Sequence, residues 1–387
     1  MRILHCYKIY RPEVEGGIPE VMSQLLGLRD FGDSSTILTA RRRGAGRRYV
    51  LDGAEVRAVA SFGEALSMPL APHYPLVLAQ AAQSCDVLAL HAPFPLNDIG
   101  LLLGVPDDLA VVVHWHAEIL GRQAIVKLLA PVIRHTLARA DRIVVSDQSI
   151  VDRSEFLAPH VGKCTIIPYG VRPEEWSELH ADQARRAAEL RARYPRLMIS
   201  MGRLVPYKGY PVLLEAMREI DGHLVVIGDG SDREALAQRA AELGVADRVT
   251  FTGLLPRDDM KVYLHAARVF VLPSVTEAEA FGIVQIEAMS AGLPVVNTTV
   301  PTAVPKIARD GLEGLSVAPR DAAALAGAIR RLLDDPDLAA RFGRAGRERV
   351  AGEYSQSVFL RRISAVYSSA LSRRRGEPDR APNEVLT

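Results

Sequence analysis

The chain has 387 residues, more than one hydrophobic core usually organises, so two α/β domains are expected and a third is not. Its 47 basic residues nearly balance 46 acidic ones, and a formal net charge of +1 excludes a global field that would gather nucleic acid or an anionic membrane. With 48% hydrophobic and 24% charged residues it reads as an ordinary globular protein, neither disordered nor fibrous.

MRILHCYKIY enters a strand directly, without the regions of a signal peptide, and no apolar run reaches membrane-spanning length. Cys6, Cys85 and Cys164 lie far apart in or beside apolar runs, as buried free thiols do. A cytoplasmic location is the expectation. Strand-like runs at residues 2–7, 35–38, 86–91, 110–116, 142–146 and 164–168 alternate with amphipathic helical runs, the pattern of a parallel sheet covered on both faces. After the first of them, Gly16 and Gly17 stand ahead of a helix with Pro19 in its first turn, where backbone N–H groups can approach phosphate or sugar closely, although a plain tight turn would look the same.

Next comes the basic stretch ARRRGAGRR, with arginines from Arg41 to Arg48, readable as a solvated loop or as a contact for an anionic lipid-linked acceptor or membrane surface. The run VVVHWHAE carries His114 and His116 off a buried strand with both imidazoles on one face. No further cluster at metal-ligand spacing accompanies them, so His116 is read as a hydrogen-bond donor to a sugar and His114 as a packed imidazole. A turn-rich and then strongly charged stretch near residues 170–194 reads as a hinge.

The strand rhythm restarts at 197–201 and continues at 223–227, 249–252, 269–272 and 294–297, a second sheet. A cleft between the two domains is then the default ligand site. Gly202, Arg203 and Lys208 occupy a loop at the carboxyl end of the new sheet's first strand, where open α/β sheets bind ligands, and two cations there could neutralise a diphosphate leaving group. In PSVTEAEAFGIVQIEAMSAGLPVVN a helix is expected from about Phe281 to just before Gly292. Glu279 then sits in the preceding turn, Glu287 about two turns into the helix, and the N–H groups of Ala280, Phe281 and Gly282 at its positive end. Paired carboxylates suit a polyhydroxylated ligand, while a solvated amphipathic helix is the plainer alternative. The only Asp-x-Asp, Asp335 to Asp337, reads as helix capping, so no metal site is expected. A last helix is expected at 356–372, followed by a disordered tail.

Taken together, GGIPEV, HWHAE, IIPYGV, SMGRLVPYKGY, EAFGIVQIE and DGLEGLSVAPRD, in that order and spacing, resemble the retaining GT-B glycosyltransferases of family 4 over nearly the whole chain. The resemblance implies two Rossmann-like domains: an acceptor domain at 1–172, a linker at 173–194, a donor domain at 195–354, a helix at 355–373 crossing back to the first domain, and a tail at 374–387. It implies that Arg203 and Lys208 bind the diphosphate of a nucleotide-sugar and Glu287 the ribose. Glu279 would hold the transferred sugar with Phe281, Gly282 and the adjoining Ile283, His116 would touch the same sugar, and Gly17 the phosphates. Gly253, Leu254 and Leu255 would meet the base through main-chain atoms. The implied chemistry retains the anomeric configuration, a diphosphate oxygen taking the acceptor's proton, without cofactor or metal.

Ala280 replaces the usual glycine, and NTTVPTAVPKIARDG replaces the usual glycine-pair loop. HWHAE, VPTAVP and HAPFPLND look like a bacterial subgroup that builds polysaccharides or O-antigens on lipid carriers. GDP-mannose is the expected donor and a glycan or polyprenyl-linked glycan the expected acceptor, with peripheral membrane contact and no nucleic acid. Rival readings are a GT-B nucleotide-sugar epimerase or hydrolase, a non-catalytic nucleotide-sugar sensor, and an NAD-dependent oxidoreductase. The last is suggested by VVIGDGSDRE, which lacks the full G-x-G-x-x-G spacing.

Overall fold

The structure is a computed structural model that describes residues 1–14, 16–65, 68–117 and 123–377. Glu118 of the HWHAE run and residues 378–387 of the expected tail lie outside the described residues. The chain divides into two compact units, Met1–Gly170 with Gln356–Thr387, and Val171–Ser355.

The first unit is built on strands β1 (Arg2–Cys6), β2 (Ser34–Ala40), β3 (Arg47–Leu51), β4 (Ala54–Val59), β5 (Val87–Ala92), β6 (Ala110–Trp115), β7 (Arg142–Val145) and β8 (Cys164–Ile166). They form one sheet in the order β8-β7-β6-β5-β1-β2-β4-β3, parallel except for the β3–β4 pair. Its inner strands are near-continuous apolar runs because both faces are covered. Leu4, Cys6, Leu88, Leu90, Val111 and Val113 share one core cluster. His5 and His114 are also buried, and Tyr367 of the C-terminal helix Gln356–Arg374 packs against both rings.

β3 and β4 were not expected. The stretch read as a basic loop over 41–48 runs into β3, and its charges are largely paired. Arg41 and Arg47 meet Glu13, Arg42 meets Glu64 at 3.1 Å, and Arg48 lies 3.9 Å from Glu55. Four of its five arginines face carboxylates within their own unit.

The second unit holds β9 (Leu197–Met201), β10 (His223–Ile227), β11 (Val249–Gly253), β12 (Val269–Val271), β13 (Val295–Thr298) and β14 (Gly314–Val317), all parallel, in the order β11-β10-β9-β12-β13-β14. Strand order reverses between β9 and β12, so the loops leaving their carboxyl ends diverge from one crevice, the position at which such sheets take ligands. In the first sheet the same reversal falls between β1 and β5.

Two boundaries differ from expectation. The segment read as a linker over 173–194 belongs to the second unit, where helix Ala181–Arg193 docks on helix Arg257–Ala266. Gln183 donates to Asp258 at 3.1 Å, Arg186 pairs with Asp259 at 2.6 Å, and Ala187 is buried, so part of the charge that suggested a solvated linker is used in docking a packed helix. The tail does not begin at 374 either. Arg374 is still helical and its guanidinium reaches Asp141 at 2.7 Å. All three cysteines are free thiols, and no helix among the described residues is long and apolar enough to cross a membrane.

Candidate functional site

The crevice of the second sheet gathers four of the expected residues, Gly202, Arg203, Lys208 and Glu279. Gly202 and Arg203 follow β9, and a short turn of helix, Pro206–Lys208, then presents Lys208. Lys208 Nζ lies 2.5 Å from Glu279 Oε2, with each side chain only 9% exposed. The Ser274 hydroxyl donates to the same carboxylate oxygen at 3.0 Å. Arg203 is exposed and donates to the Tyr207 hydroxyl at 3.2 Å, while Lys208 Nζ stands 5.7 Å from the Tyr207 ring centroid. The loop after β9 and the loop after β12 are thus joined by a chain of polar contacts from Arg203 to Ser274.

Backbone contacts fix the same juxtaposition. Val275 donates its N–H to the Tyr207 carbonyl at 2.9 Å, and Gly209, at φ 71°, comes so near that a Cβ there would sit 2.0 Å from the Pro273 oxygen. Only glycine tolerates both the left-handed backbone and that approach. From β13, Thr298 donates to the Ser274 carbonyl at 2.5 Å, and beyond β14 Arg320 donates to the Val275 carbonyl at 3.1 Å. The strand ends therefore hold the Glu279 loop from several sides.

The helix after this loop starts later than expected, spanning Val284–Ser290. Gly282 has φ 80°, incompatible with a helical first turn, so Ala280, Phe281 and Gly282 precede the helix, Ile283 is its N-cap, and Glu287 lies in the first turn rather than two turns in. Phe281 is buried and Glu287 half-buried. Ala280 accepts from the Ala303 N–H at 3.2 Å, which ties the VPTAVP loop to the position where this chain departs from the family glycine. Gly253 ends β11, with Leu255 half-buried and Leu254 80% exposed beyond it. β10 separates that edge from β9, so this turn stands apart from the Lys208–Glu279 pair.

In the first unit Gly16 caps helix Gly17–Leu25, and both glycines are exposed. His116 is placed differently from expectation. It is 4% exposed and both ring nitrogens are engaged, Nε2 with His91 Nδ1 at 2.8 Å and Nδ1 with the Tyr169 hydroxyl at 2.7 Å. His91 Nε2 continues to His5 Nδ1 at 3.2 Å, while His114 Nε2 meets the Tyr367 hydroxyl at 2.7 Å. A neutral imidazole offers one donor and one acceptor, so the His5–His91–His116–Tyr169 chain runs donor to acceptor in a single direction. Burial pushes His5 and His116 down to about 3, and burial followed by neighbouring imidazoles holds His91 well below the ordinary value. A sugar contact by His116 thus requires exchange of one of these partners.

Sequence reasoning missed Ser274, Tyr207, His5 and His91. A serine or tyrosine in a loop carries no pattern of its own, and the histidines converge only through strand register, with His91 opposite His114. Asp335 accepts from the Leu338 N–H at 2.9 Å, a helix cap. Among the described residues no group of three or more His, Cys, Asp or Glu is placed to hold a metal ion.

Residues 182–349 match the family described as glycosyl transferases group 1, and residues 15–170 match the glycosyl transferase 4-like domain. A GDP-mannose-dependent α-(1-6)-phosphatidylinositol monomannoside mannosyltransferase of Mycolicibacterium smegmatis is 33% identical over 66% of this chain and 69% of its own length. The chain belongs to the GT-B glycosyltransferases, with a family 4-like first unit and a group 1 second unit. O-antigen chain mannosyltransferase C of Escherichia coli is 27% identical over 96% of this chain and 99% of its own length. Sucrose-phosphate synthase of Thermosynechococcus elongatus shares the fold at TM-score 0.76 and 23% identity, covering 96% of this chain and 99% of that one. The Anabaena protein HepE, solved in complex with UDP, shares it at TM-score 0.75 and 19% identity, covering 95% and 100%. The glycosyltransferase therefore carries its Lys208–Glu279 pair at the switch point of the group 1 unit.

Proposed function

We propose that this glycosyltransferase moves a hexose from a nucleoside diphosphate sugar to a hydroxyl of a glycan or lipid-linked glycan in bacterial polysaccharide or glycolipid assembly, with mannose from GDP-mannose as the donor of choice. The observation that carries it is the meeting of Arg203, Lys208 and Glu279 at the crevice where the second sheet reverses its strand order. Two cations there match a diphosphate, and a carboxylate within reach of one of them matches sugar hydroxyls. The mannosyl relatives, one of them named for GDP-mannose, support the choice of sugar and base.

In this reading Arg203 and Lys208 stabilise the diphosphate as its bond to the anomeric carbon breaks, Glu279 holds the sugar and Glu287 the ribose. Phe281, Gly282 and Ile283 offer main-chain groups to the sugar, and Gly253, Leu254 and Leu255 to the base. The acceptor oxygen attacks the anomeric carbon on the leaving group's face. Its proton passes to a diphosphate oxygen, so configuration is retained and no separate base is needed.

Calorimetry against GDP, UDP and their sugars, followed by product analysis with an added acceptor, tests the reading. GDP-mannose binding and an α-linked product are expected. Consumption of donor without acceptor would favour a hydrolase or epimerase, and selective binding of UDP-sugars would overturn the donor. Undiminished transfer by His116→Phe would remove the sugar contact from that residue.

A further inference from the structure

In the second unit, Lys208 and Glu279 satisfy each other while both are almost fully buried, and Ser274, 0% exposed, donates to the oxygen that Lys208 contacts. A cation awaiting a diphosphate and a carboxylate awaiting hydroxyls thus form one neutral unit. An anion that takes Lys208 competes with Glu279 for its ammonium, and as far as it draws the ammonium away it unpairs the carboxylate. The carboxylate left behind, with Ser274 as its remaining neutral donor, carries the heavy penalty of a buried charge deprived of its partner. A nucleoside diphosphate that still carries its sugar offsets that penalty, because sugar hydroxyls can donate to the freed carboxylate. A bare nucleoside diphosphate offers none.

We propose that Ser274, Glu279 and Lys208 act as one exchange unit by which the site selects a nucleoside diphosphate with its sugar attached over the bare nucleoside diphosphate, Ser274 being a positioning residue for the Glu279 carboxylate. The proposal rests on the donor-site reading above and adds to it a direction of discrimination. Once the sugar has left, Glu279 regains its claim on Lys208 and helps to expel the spent nucleotide. Tyr207 keeps Lys208 within reach of both partners, its ring beside the ammonium and its carbonyl tied to Val275.

The test measures affinities of the full chain for ADP, GDP, UDP and dTDP and for the sugar form of whichever binds. Glu279→Gln removes the competing charge and keeps the shape, so the bare diphosphate is expected to bind roughly tenfold tighter than to the unmodified chain, while the sugar form gains less or loses. The ratio between the two affinities collapses. A defect in packing would weaken both ligands, so the gain is specific to charge release. Unchanged or weaker binding of the bare diphosphate to a folded Glu279→Gln chain overturns the proposal. Should that variant not fold, Ser274→Ala serves. Loss of the hydroxyl is expected to weaken the bare diphosphate more than the sugar form, and equal weakening overturns the positioning role. Lys208→Ala separates the two levels, since diphosphate binding unaffected by that change overturns the donor-site reading itself.

Discussion

Val275 donates its backbone N–H to the carbonyl of Tyr207 at 2.9 Å, and by that bond the loop bearing Glu279 is laid against the loop bearing Lys208. The close pass of Gly209 against Pro273 belongs to the same seam. Gly209→Ala should destabilise the second unit by about 2 kcal/mol or more and lower turnover, because the added carbon meets a carbonyl and the backbone is left-handed. Denaturant titration and initial rates check this, and an unchanged midpoint would mean that the seam yields without cost.

Truncating either member of the Lys208–Glu279 pair has a double effect. Transfer should fall by about 10²–10³-fold, the scale seen when one stabilising group is removed from a developing charge. Alanine at either position should also lower stability, since each truncation strands a nearly buried charge. Lys208→Met and Glu279→Gln are the milder probes. Near-full turnover in either purified, folded variant would remove these residues from the site.

The histidine chain makes the first unit acid-sensitive. The folded values of His5 and His116, about 3, lie below the unfolded value of about 6.5, so as pH falls the unfolded chain takes up protons first. This contribution to stability is complete above about pH 6.5 and is lost progressively toward about 3. Melting curves between pH 7.5 and 5 should show the fall, and His5→Gln should flatten it.

Asp141 accepts from the Val111 N–H at 2.9 Å and pairs with Arg374 at 2.7 Å, while itself nearly buried. Asp141→Ala would leave a strand N–H unsatisfied and take the carboxylate from Arg374, which keeps only the Asp107 and Arg139 carbonyls, at about 2 kcal/mol. Chain truncation before Arg374 should reproduce part of that loss in equilibrium unfolding.

Charge stabilisation by Arg203 and Lys208 is expected to suffice without a divalent ion. Turnover in excess chelator should match turnover in magnesium, and strict dependence on added metal would contradict the assignment.

Strands covered on both faces, such as β9 with five buried residues and β10 with four, were legible because their apolar runs leave little other reading. β3 and β4 were missed because they form the sheet's edge, where β3 is mostly exposed and polar residues interrupt the apolar pattern. At the site, Arg203, Lys208 and Glu279 were legible from their places after strands. The mutual pairing of Lys208 and Glu279 was not, because it depends on β9 and β12 being neighbours despite the intervening chain. The start of the helix before Glu287 was misjudged for a local reason: Gly282 takes a left-handed turn that the helical spacing on either side conceals.

The first unit is closed by helix Gln356–Arg374, whose Tyr367 meets His114 across 253 positions of sequence. During synthesis the second unit is complete once Ser355 has emerged, while the first still lacks the helix that covers His5 and His114. The half made first is therefore the half finished last, and a released chain ending at residue 355 should hold a protease-resistant second unit beside a first unit that is still cleaved.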